Sequence, residues 1–319
     1  MENCNYEIYK GIMSDNPIID AGYIDRILRL SIGEKTEQIE VTKVEESNTA
    51  IVIKVSVQIR STYEKRSQNF FVKTMKRNKS GNVYHDLSMK EGEFYKLVKD
   101  NLMKILPIPK CYDVFLSKEK GEFVIILEDI SDRYTPPDDA MLENENIWLS
   151  CAESLASFHS VFWNSKDIQK RENVSEHDGE ADRDCLRSFL NYFKNQFDNR
   201  MKTILNQAME INISLIREMS HRENNLDNIT ICNGDSHISN FMLPKDGDDT
   251  PLMIDFQFWG YGIGTGDLAH LTRDRFPDEL KRRIQLPLVE HYHQSLFAKG
   301  ITSYPLEKCL TDYRHLQDQ

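Results

Sequence analysis

The first half of the chain alternates between apolar and polar residues. In AIVIKVSVQIR the apolar residues fall on one face: Ile51, Ile53, Val55, Val57 and Ile59. This is the pattern of a half-buried strand. EQIEVTKV before it and QNFFVKTM after it predict two more strands, and CYDVFLS and EFVIILEDI predict a pair joined by a turn at KEKG. Residues 37–130 are therefore expected to form a mainly antiparallel sheet.

Helical spacing interrupts this alternation and then replaces it. LSMKEGEFYKLVKD predicts one helix among the strands, with four inward-facing residues: Leu87, Phe94, Leu97 and Val98. IIDAGYIDRILRLSIG predicts an earlier helix. From 140 to 225 the chain is expected to be helical, in IWLSCAESLASFHSVFW, CLRSFLNYFKNQF and ILNQAMEINISLIREM. Two short strands, NITIC and PLMID, come next, and helices close the chain.

This order of elements predicts an α+β protein with two lobes. A chain of 319 residues is long enough for two cores. We expect a small antiparallel-sheet lobe with one helix over 1–130, a linker over 131–139 at DRYTPPDD, and a larger, mainly helical lobe over 140–319. That is the layout of a two-lobed kinase, although layout alone does not establish function.

Composition and charge limit the classes of partner. The formal charge of −11 argues against nucleic acid or an anionic membrane as the main partner. It allows a cationic substrate without requiring one. No run approaches eighteen apolar residues, and MENCNYEIYK lacks the apolar core of a signal peptide. Six scattered cysteines without a C-x-x-C pair indicate reduced thiols, so a cytoplasmic protein is expected.

The stretch NGDSHISN, residues 233–240, carries the first chemical signal. Transfer of a phosphoryl group to a hydroxyl needs a proton acceptor, Mg²⁺ on the phosphates and fixed positions. Asp235 and Asn240 have the Asp-x-x-x-x-Asn spacing that protein kinases use for the base and one metal ligand, and they follow the strand NITIC. The alternative is an aspartate and an asparagine in an ordinary polar loop.

The stretch PLMIDFQ supports the same chemistry. An apolar strand that ends in Asp255 would present a carboxylate at a cleft, and Mg²⁺ prefers oxygen ligands of this kind. A strand-capping aspartate is the alternative. The connection LPKDGDDT between the two stretches reads as a hairpin turn, which would bring them together.

Lys73 and Glu91 form a candidate pair on the nucleotide side. Lys73 shares a strand face with Phe71 and Met75, which suits a lysine that binds the α- and β-phosphates. A lysine that extends to solvent at a sheet edge is the alternative. Glu91 could pair with Lys73, or it could belong with Ser88 to an S-x-x-E capping box.

These stretches together resemble the aminoglycoside phosphotransferase and choline kinase superfamily, and most closely its ecdysteroid-kinase-like and choline-kinase-like branch. The resemblance spans roughly residues 50–275. It rests on FFVKTM, EGEFY, IILEDIS, LASFHSVFW, NGDSHISNFML and LMIDFQFWGYGIGTGDLAHL. The last two are the most specific, because their order, spacing and flanks agree.

The resemblance implies a protein-kinase-like fold and a role for each matched residue. Asp235 would be the catalytic base, with Asn240 and Asp255 as Mg²⁺ ligands. On the nucleotide side it implies that Lys73 holds phosphates, that Glu91 positions Lys73, and that backbone groups of Glu128 and Ile130 meet adenine. Asp267 would brace the catalytic loop, and buried His159 is expected to be a satisfied core histidine.

Two departures from the family pattern stand out. Asn233 occupies a position where the family usually has histidine, which supports the loop and does not react. No glycine-rich loop precedes the second strand. VEESNTA stands there instead, so Ser47, Asn48 and nearby backbone N–H groups would have to cover the phosphates.

The chain ends within a helical pattern, and relatives often carry further helices on the substrate side.

The sequence thus predicts an ATP- and Mg²⁺-dependent phosphotransferase acting on a hydroxyl of a small organic molecule. A degenerate kinase that binds nucleotide or ligand without turnover is the alternative, favoured by the missing glycine-rich loop. A purely structural helical adaptor is a third class, and it would bind no nucleotide. No motif in 140–225 identifies the acceptor.

Overall fold

The predicted strands form one antiparallel sheet. The computed structural model describes residues 35–46, 50–60, 65–75, 83–98, 101–117, 122–165, 188, 198–246 and 249–317. Five strands lie in the order β1–β2–β3–β5–β4: β1 Lys35–Glu46, β2 Ala50–Arg60, β3 Lys65–Met75, β4 Cys111–Ser117 and β5 Glu122–Glu128.

Alternation on β2 and β3 determines which side chains face the site. The predicted inward residues of β2 within the described side chains are buried: Ile51, Ile53, Val55 and Val57. Lys73 lies on the opposite face of central strand β3, across from Val52 on β2 and Ile125 on β5. The lysine is therefore held on a rigid strand between two others, not at a sheet edge.

Helix α1, Val83–Leu97, packs against β4 and β5. Phe94 is buried, as predicted, and so is Val98, which comes directly after the helix. The helix begins before the predicted start at Leu87, so Ser88 lies inside it. The capping-box interpretation of Ser88 and Glu91 is therefore wrong, because that motif requires the serine at the N-cap.

The described residues after the sheet form six helices: α2 Asp139–Leu142, α3 Glu145–Phe162, α4 Asn199–Asn225, α5 Gly264–Leu271, α6 Asp278–Ala298 and α7 Leu306–Gln317. None of the helices in the described ranges is long and apolar enough to cross a membrane. The five-stranded sheet precedes these helices along the chain, which is the predicted α+β arrangement.

Helix α3 connects the two halves of the core. It begins after Asn144, whose side chain accepts a hydrogen bond from the Asn146 N–H at 3.1 Å. Its buried residues recur at helical spacing: Trp148, Cys151, Leu155, Phe158 and Phe162. The Phe158 ring lies 6.0 Å from that of Phe94 on α1. Among the described residues, one continuous apolar cluster therefore runs from α1 into the helices.

A buried ion pair joins α4 to α7. The Arg222 guanidinium donates two hydrogen bonds to the Asp312 carboxylate, at 2.8 and 2.9 Å, and both side chains are 2% exposed. The Tyr304 hydroxyl donates to Asp312 at 2.8 Å. Glu218 and Lys308 complete the network at its rim. These contacts fix the long helix α4 against the end of the described chain.

Two small sheets hold the candidate site loops. β7, Thr230–Cys232, pairs antiparallel with β10, Gly260–Gly262. β8, Phe241–Pro244, lies between β6, Tyr134–Thr135, and β9, Leu252–Met253. Residues 233–240 therefore leave β7 and enter β8, and residues 254–259 connect β9 to β10.

Several predicted features lie outside the described residues. They are the N-terminal helix over 18–33, the turn over 118–121, nearly all of the helix over 185–197, and the two phosphate-covering residues Ser47 and Asn48. The boundaries of the lobes at 130 and 140 stay a prediction.

Candidate active site

Asp235 and Asn240 are linked by hydrogen bonds within one short loop. Asn240 ends a single 3-10 turn, Ile238–Asn240, just before β8. Its Nδ2 donates to the Asp235 backbone carbonyl at 2.7 Å and to Asp235 Oδ2 at 3.4 Å. This leaves Oδ1 as the oxygen that Asn240 can offer to a ligand. The predicted spacing thus brings the two side chains together.

Asp255 follows the predicted hairpin, since β8 and β9 pair antiparallel. The preceding Ile254 N–H donates to the Asn240 carbonyl at 2.9 Å, which joins the two loops. Asp255 has φ of 59°, a left-handed backbone that is uncommon for a residue other than glycine. Strain of this kind collects at functional sites. The Asp255 side chain is 37% exposed and accessible to a ligand.

Buried Asn233 bridges Asp235 and Asp255. Its Oδ1 accepts from the Asp235 N–H at 3.0 Å, and its Nδ2 donates to the Asp255 carbonyl at 3.0 Å. Gly234 next to it has φ of 78° and packs closely on the Phe258 backbone. A side chain at Gly234 would force these loops apart. The residue that departs from the family pattern therefore still supports the loop.

Asp267 braces the loop, which confirms its predicted structural role. Its Oδ2 accepts from the Asn233 N–H at 2.7 Å and its Oδ1 from the Gly234 N–H at 3.0 Å. His159 Nε2 lies 3.1 Å from Asp267 Oδ2, and Nδ1 lies 2.8 Å from the Tyr292 hydroxyl. His159 is fully buried with both nitrogens satisfied, so it is the core histidine that was predicted.

His159, Cys232 and Asp267 also form a compact trio, with potential ligand atoms within 4.8 Å of one another. Their hydrogen bonds argue against a metal site. The two Asp267 oxygens already accept from two backbone N–H groups and His159. Burial and Asp267 raise the pKa of the Cys232 thiol, which disfavours the thiolate that binds metals. The trio therefore has a structural role.

Gly264→Ala tests the close packing around His159, a member of this trio. A Cβ at Gly264 would lie 2.8 Å from His159 Nδ1 and even closer to the Tyr292 hydroxyl. We expect Gly264→Ala to lower the free energy of unfolding by about 1–3 kcal/mol, because it overpacks this contact. Chemical denaturation measures the change.

Gly266→Ala on the same helix is the matched control. A Cβ there would meet Leu316 Cδ1 at 3.7 Å, an ordinary contact. Because alanine favours a helix over glycine, the control should be neutral or stabilised by up to about 1 kcal/mol. Equal effects of the two substitutions would contradict the close packing at Gly264.

Lys73 joins the sheet to helix α1 and to the Asp255 loop. Its Nζ lies 2.7 Å from Glu91 Oε2 and 3.3 Å from Asp255 Oδ1. Burial disfavours its charge, but Glu91 and Asp255 outweigh burial and raise the pKa of Lys73. Burial raises the pKa of Glu91, and the attraction of Lys73 opposes that rise. The pairing of Glu91 with Lys73, one of the two interpretations of Glu91 that the sequence left open, is thus present in the structure.

Two imidazoles flank Asp235. His237 Nε2 lies 3.7 Å from Asp235 Oδ2, and His270 Nε2 lies 3.8 Å from Asp235 Oδ1. Burial raises the pKa of Asp235, and the two histidines oppose that rise. A partly buried carboxylate with basic neighbours on both sides can exchange a proton with an incoming group.

The predicted adenine contacts lie at the end of β5. The Glu128 N–H donates to the Lys110 carbonyl at 2.8 Å. The Ile130 carbonyl accepts from the amides of Arg133 and Tyr134, at 3.0 and 2.9 Å. The backbone groups of this segment that could meet a base are therefore the Glu128 carbonyl and the Ile130 N–H.

Lys54 of β2 reaches the same segment. Its Nζ lies 2.7 Å from Asp129 Oδ2 and donates to the Ser131 hydroxyl at 2.8 Å. Burial acts to raise the pKa of Asp129, but hydrogen bonds from Lys54 and Ser131 hold it below its ordinary value. This contact connects β2 to the residues that follow β5.

A sequence model of the ecdysteroid kinase-like family matches residues 45–300, which cover both site loops and the Lys73–Glu91 pair. The chain belongs to the ecdysteroid kinase-like family. The predicted membership is thus confirmed. Among curated proteins, none matches the chain at a significant level.

Solved structures similar to this family member are kinase-like. The GDP and kanamycin complex of APH(2")-IIia matches with a TM-score of 0.50 and 13% identity, over 98% of this chain and 95% of that one. An ethanolamine kinase from Plasmodium vivax matches with a TM-score of 0.50 and 12% identity, over 99% and 86%. These matches confirm the two-lobed, protein-kinase-like α+β fold.

The sequence did not identify several contacts of the site. Neither the two bridging hydrogen bonds of Asn233 nor the flanking of Asp235 by His237 and His270 was predicted. His237 lies within NGDSHISN, so its closeness to Asp235 could have been noticed. His270 reaches Asp235 only through the packing of α5 on the loop, which no local pattern encodes.

Proposed function

We propose that this protein transfers the γ-phosphoryl group of ATP to a hydroxyl of a small organic molecule and uses Mg²⁺. One observation carries the proposal: two hydrogen-bonded loops gather Asp235, Asn240 and Asp255, and Lys73 lies 3.3 Å from Asp255. Membership of a kinase-like family and the kinase-like fold support it.

Asp235 acts as the general base. It accepts the proton of the acceptor hydroxyl while that oxygen forms a bond to the γ-phosphorus. The bond between the γ-phosphorus and the bridging oxygen breaks, and ADP leaves. Because the protein does little covalent chemistry in such transfers, most of its contribution is position and charge. Asn233 and Asp267 supply the position by fixing the loop around Asp235.

Lys73 binds the phosphates of the nucleotide, and Glu91 holds Lys73 in place. The Glu128 carbonyl and the Ile130 N–H bind adenine. Ser47 and Asn48, with nearby backbone N–H groups, cover the phosphates where relatives use glycines. The raised pKa of Lys73 keeps it cationic at neutral pH, as a phosphate ligand must be.

The donor atoms at the two loops fit Mg²⁺. Asp255 offers an exposed carboxylate, and the Asn240 amide is oriented so that Oδ1 is free of the contact that Nδ2 makes with Asp235. These hard oxygens are the ligands that Mg²⁺ prefers, with water and phosphates completing its shell. Bound there, the ion supplies positive charge to the phosphate oxygens.

Asp255→Ala tests the metal assignment. We expect Mg²⁺ to tighten ATP binding to the wild-type protein and to have no such effect on Asp255→Ala, because the variant lacks the carboxylate ligand. Calorimetric titration of ATP with and without Mg²⁺ measures this coupling.

Asp249→Ala is the control. Asp249 is exposed on the same β8–β9 connection, so this variant should keep the coupling. An Asp255→Ala variant in which Mg²⁺ still tightens ATP binding as in the wild type would show that Asp255 is not the ligand.

A binding protein without turnover is the second candidate, because VEESNTA replaces the glycine-rich loop. A nucleotide thermal shift with and without Mg²⁺, followed by a coupled ADP-release screen, separates the two. The screen covers aminoglycosides, choline-like amines, sugars and sterols. Nucleotide binding with no ADP release on any acceptor favours the binding protein. Absence of nucleotide binding favours the structural adaptor.

The proposed partner is a small hydroxylated molecule and not nucleic acid or membrane, in keeping with the charge of −11. A cytoplasmic location is also proposed. No disulfide joins the four cysteines within the described ranges: Cys111, Cys151, Cys232 and Cys309. This agrees with the reduced thiols predicted from their spacing.

A further inference from the structure

Trp259 connects the Asp255 loop to helix α1. The indole is 3% exposed, and its Nε1 donates to the Lys90 backbone carbonyl at 2.7 Å. The ring also lies 5.9 Å from that of Phe94 on the same helix. Trp259 is a residue of the Asp255 loop. Its contacts with α1 therefore hold the loop and the helix in place relative to each other.

The position of the accepting carbonyl gives this bond its importance. Lys90 directly precedes Glu91, so a contact that fixes the Lys90 carbonyl also fixes the Cα of Glu91. The bond is additional to the bonds within the helix, because a carbonyl oxygen has two lone pairs. A buried indole N–H without an acceptor is costly, so Trp259 favours the helix position at which Lys90 can accept.

Phe256 strengthens the same connection. Its ring stacks on Phe94 with centroids 3.8 Å apart and planes 8° apart. Its backbone N–H also interacts with the Glu91 carboxylate and opposes the rise in the pKa of Glu91. Glu91 in turn lies 2.7 Å from Lys73 Nζ. The chain of contacts therefore runs from Trp259 through α1 and Glu91 to Lys73.

We infer that Trp259 is a positioning residue that holds α1 inward, so that Glu91 keeps Lys73 in place for the phosphates. The inference rests on the proposed function, since it assigns Lys73 to the nucleotide. It adds a residue outside the motif positions that carry the proposed chemistry. Trp259 touches no reacting atom, and its effect on Lys73 runs through α1 and Glu91.

Trp259→Phe tests the role, because phenylalanine keeps an aromatic ring and removes the N–H donor. We expect it to weaken Mg·ATP binding by about 2- to 10-fold, the equivalent of one net hydrogen bond. Calorimetric titration with Mg·ATP measures this change. Hydrogen–deuterium exchange without nucleotide should be faster in α1, residues 83–97.

Trp148→Phe is a matched control. Trp148 on α3 is fully buried, and its Nε1 donates to the Leu142 carbonyl on α2 at 2.9 Å, a bond that involves neither α1 nor the site loops. This variant loses the same kind of bond, so it should lose comparable stability. Its Mg·ATP affinity and the exchange of α1 should match the wild type. Equal weakening of nucleotide binding in both variants would overturn the inference.

A double-mutant cycle with Glu91→Gln tests whether Trp259 acts through Glu91. If it does, Trp259→Phe should add little to the loss of Mg·ATP affinity that Glu91→Gln already causes. Fully additive losses would overturn the inference, because independent sites add. Wild-type protein that binds no Mg·ATP would overturn the proposed function instead, and the exchange of α1 in the two tryptophan variants would still test the positioning role.

The wild-type protein provides the test if Trp259→Phe does not fold. If Trp259 couples the loop to α1, Mg·ATP should slow hydrogen exchange in residues 255–261 and in α1 together. Slower exchange in 255–261 with unchanged exchange in α1 would overturn the inference.

Discussion

Asp235→Asn is expected to lower turnover by about 10²- to 10⁴-fold, the usual contribution of a general base. Asparagine keeps the shape of the side chain and cannot accept the hydroxyl proton. Because Asp235 is not assigned to the nucleotide, ATP affinity should stay within a few-fold of the wild type. Initial rates on a confirmed acceptor and calorimetric ATP binding measure both quantities.

Two controls make this result specific. Asp274→Asn changes an exposed aspartate near the end of α5 and should leave turnover unchanged. The free energy of unfolding should show that Asp235→Asn is folded. Loss of ATP binding in the folded variant would place Asp235 among the metal or phosphate ligands. Unchanged turnover would remove it from the chemistry.

Asp312→Ala is expected to cost up to about 3–5 kcal/mol of folding free energy, because it removes two hydrogen bonds from the buried Arg222 guanidinium and leaves that charge with only Glu218 at the rim of the network. Both side chains of this pair are 2% exposed, so water cannot replace the lost carboxylate. Urea denaturation of the variant and the wild type measures the difference.

Arg283→Ala is the surface counterpart. Arg283 lies 3.0 Å from Glu145, with side chains 61% and 46% exposed. An exposed pair of this kind contributes about 0–1 kcal/mol, so this variant should be nearly as stable as the wild type. Similar losses in the two variants would contradict the distinction between the buried and the exposed pair.

Acid should reduce the effect of Asp312→Ala. Burial acts to raise the pKa of Asp312, but hydrogen bonds from Arg222 and Tyr304 outweigh it and hold that pKa below its ordinary value. For an aspartate with a depressed pKa, the stabilisation is complete above the unfolded pKa of about 3.9. It is lost as pH falls through the folded pKa. The difference from the wild type should therefore shrink below about pH 4.

The strands could be predicted from the sequence because their signal is local. Alternation over AIVIKVSVQIR fixed both the element and its buried face, and β4 and β5 begin where predicted. The start of α1 was predicted too late. Residues 83–86 carry no clear apolar period, and Ser88 with Glu91 imitates an N-terminal signal inside the helix.

The site was predictable only where one motif holds both partners. Asp235 and Asn240 are close in sequence, and the hairpin between β8 and β9 brings in Asp255. The contact of Trp259 with Lys90 spans 169 residues, and the pair of Arg222 with Asp312 spans 90 residues. Each half of such a contact looks like an ordinary residue until packing brings the two together.

Asn233 has a further consequence for how the site responds to acid. A carboxamide neither gains nor loses a proton near neutral pH, whereas a histidine there would titrate around pH 6.5. The hydrogen bonds that Asn233 makes to Asp235 and Asp255 therefore keep the same donors and acceptors over the physiological range. Acidification would therefore leave these two bonds of Asn233 unchanged, whereas it would protonate a histidine at the same position.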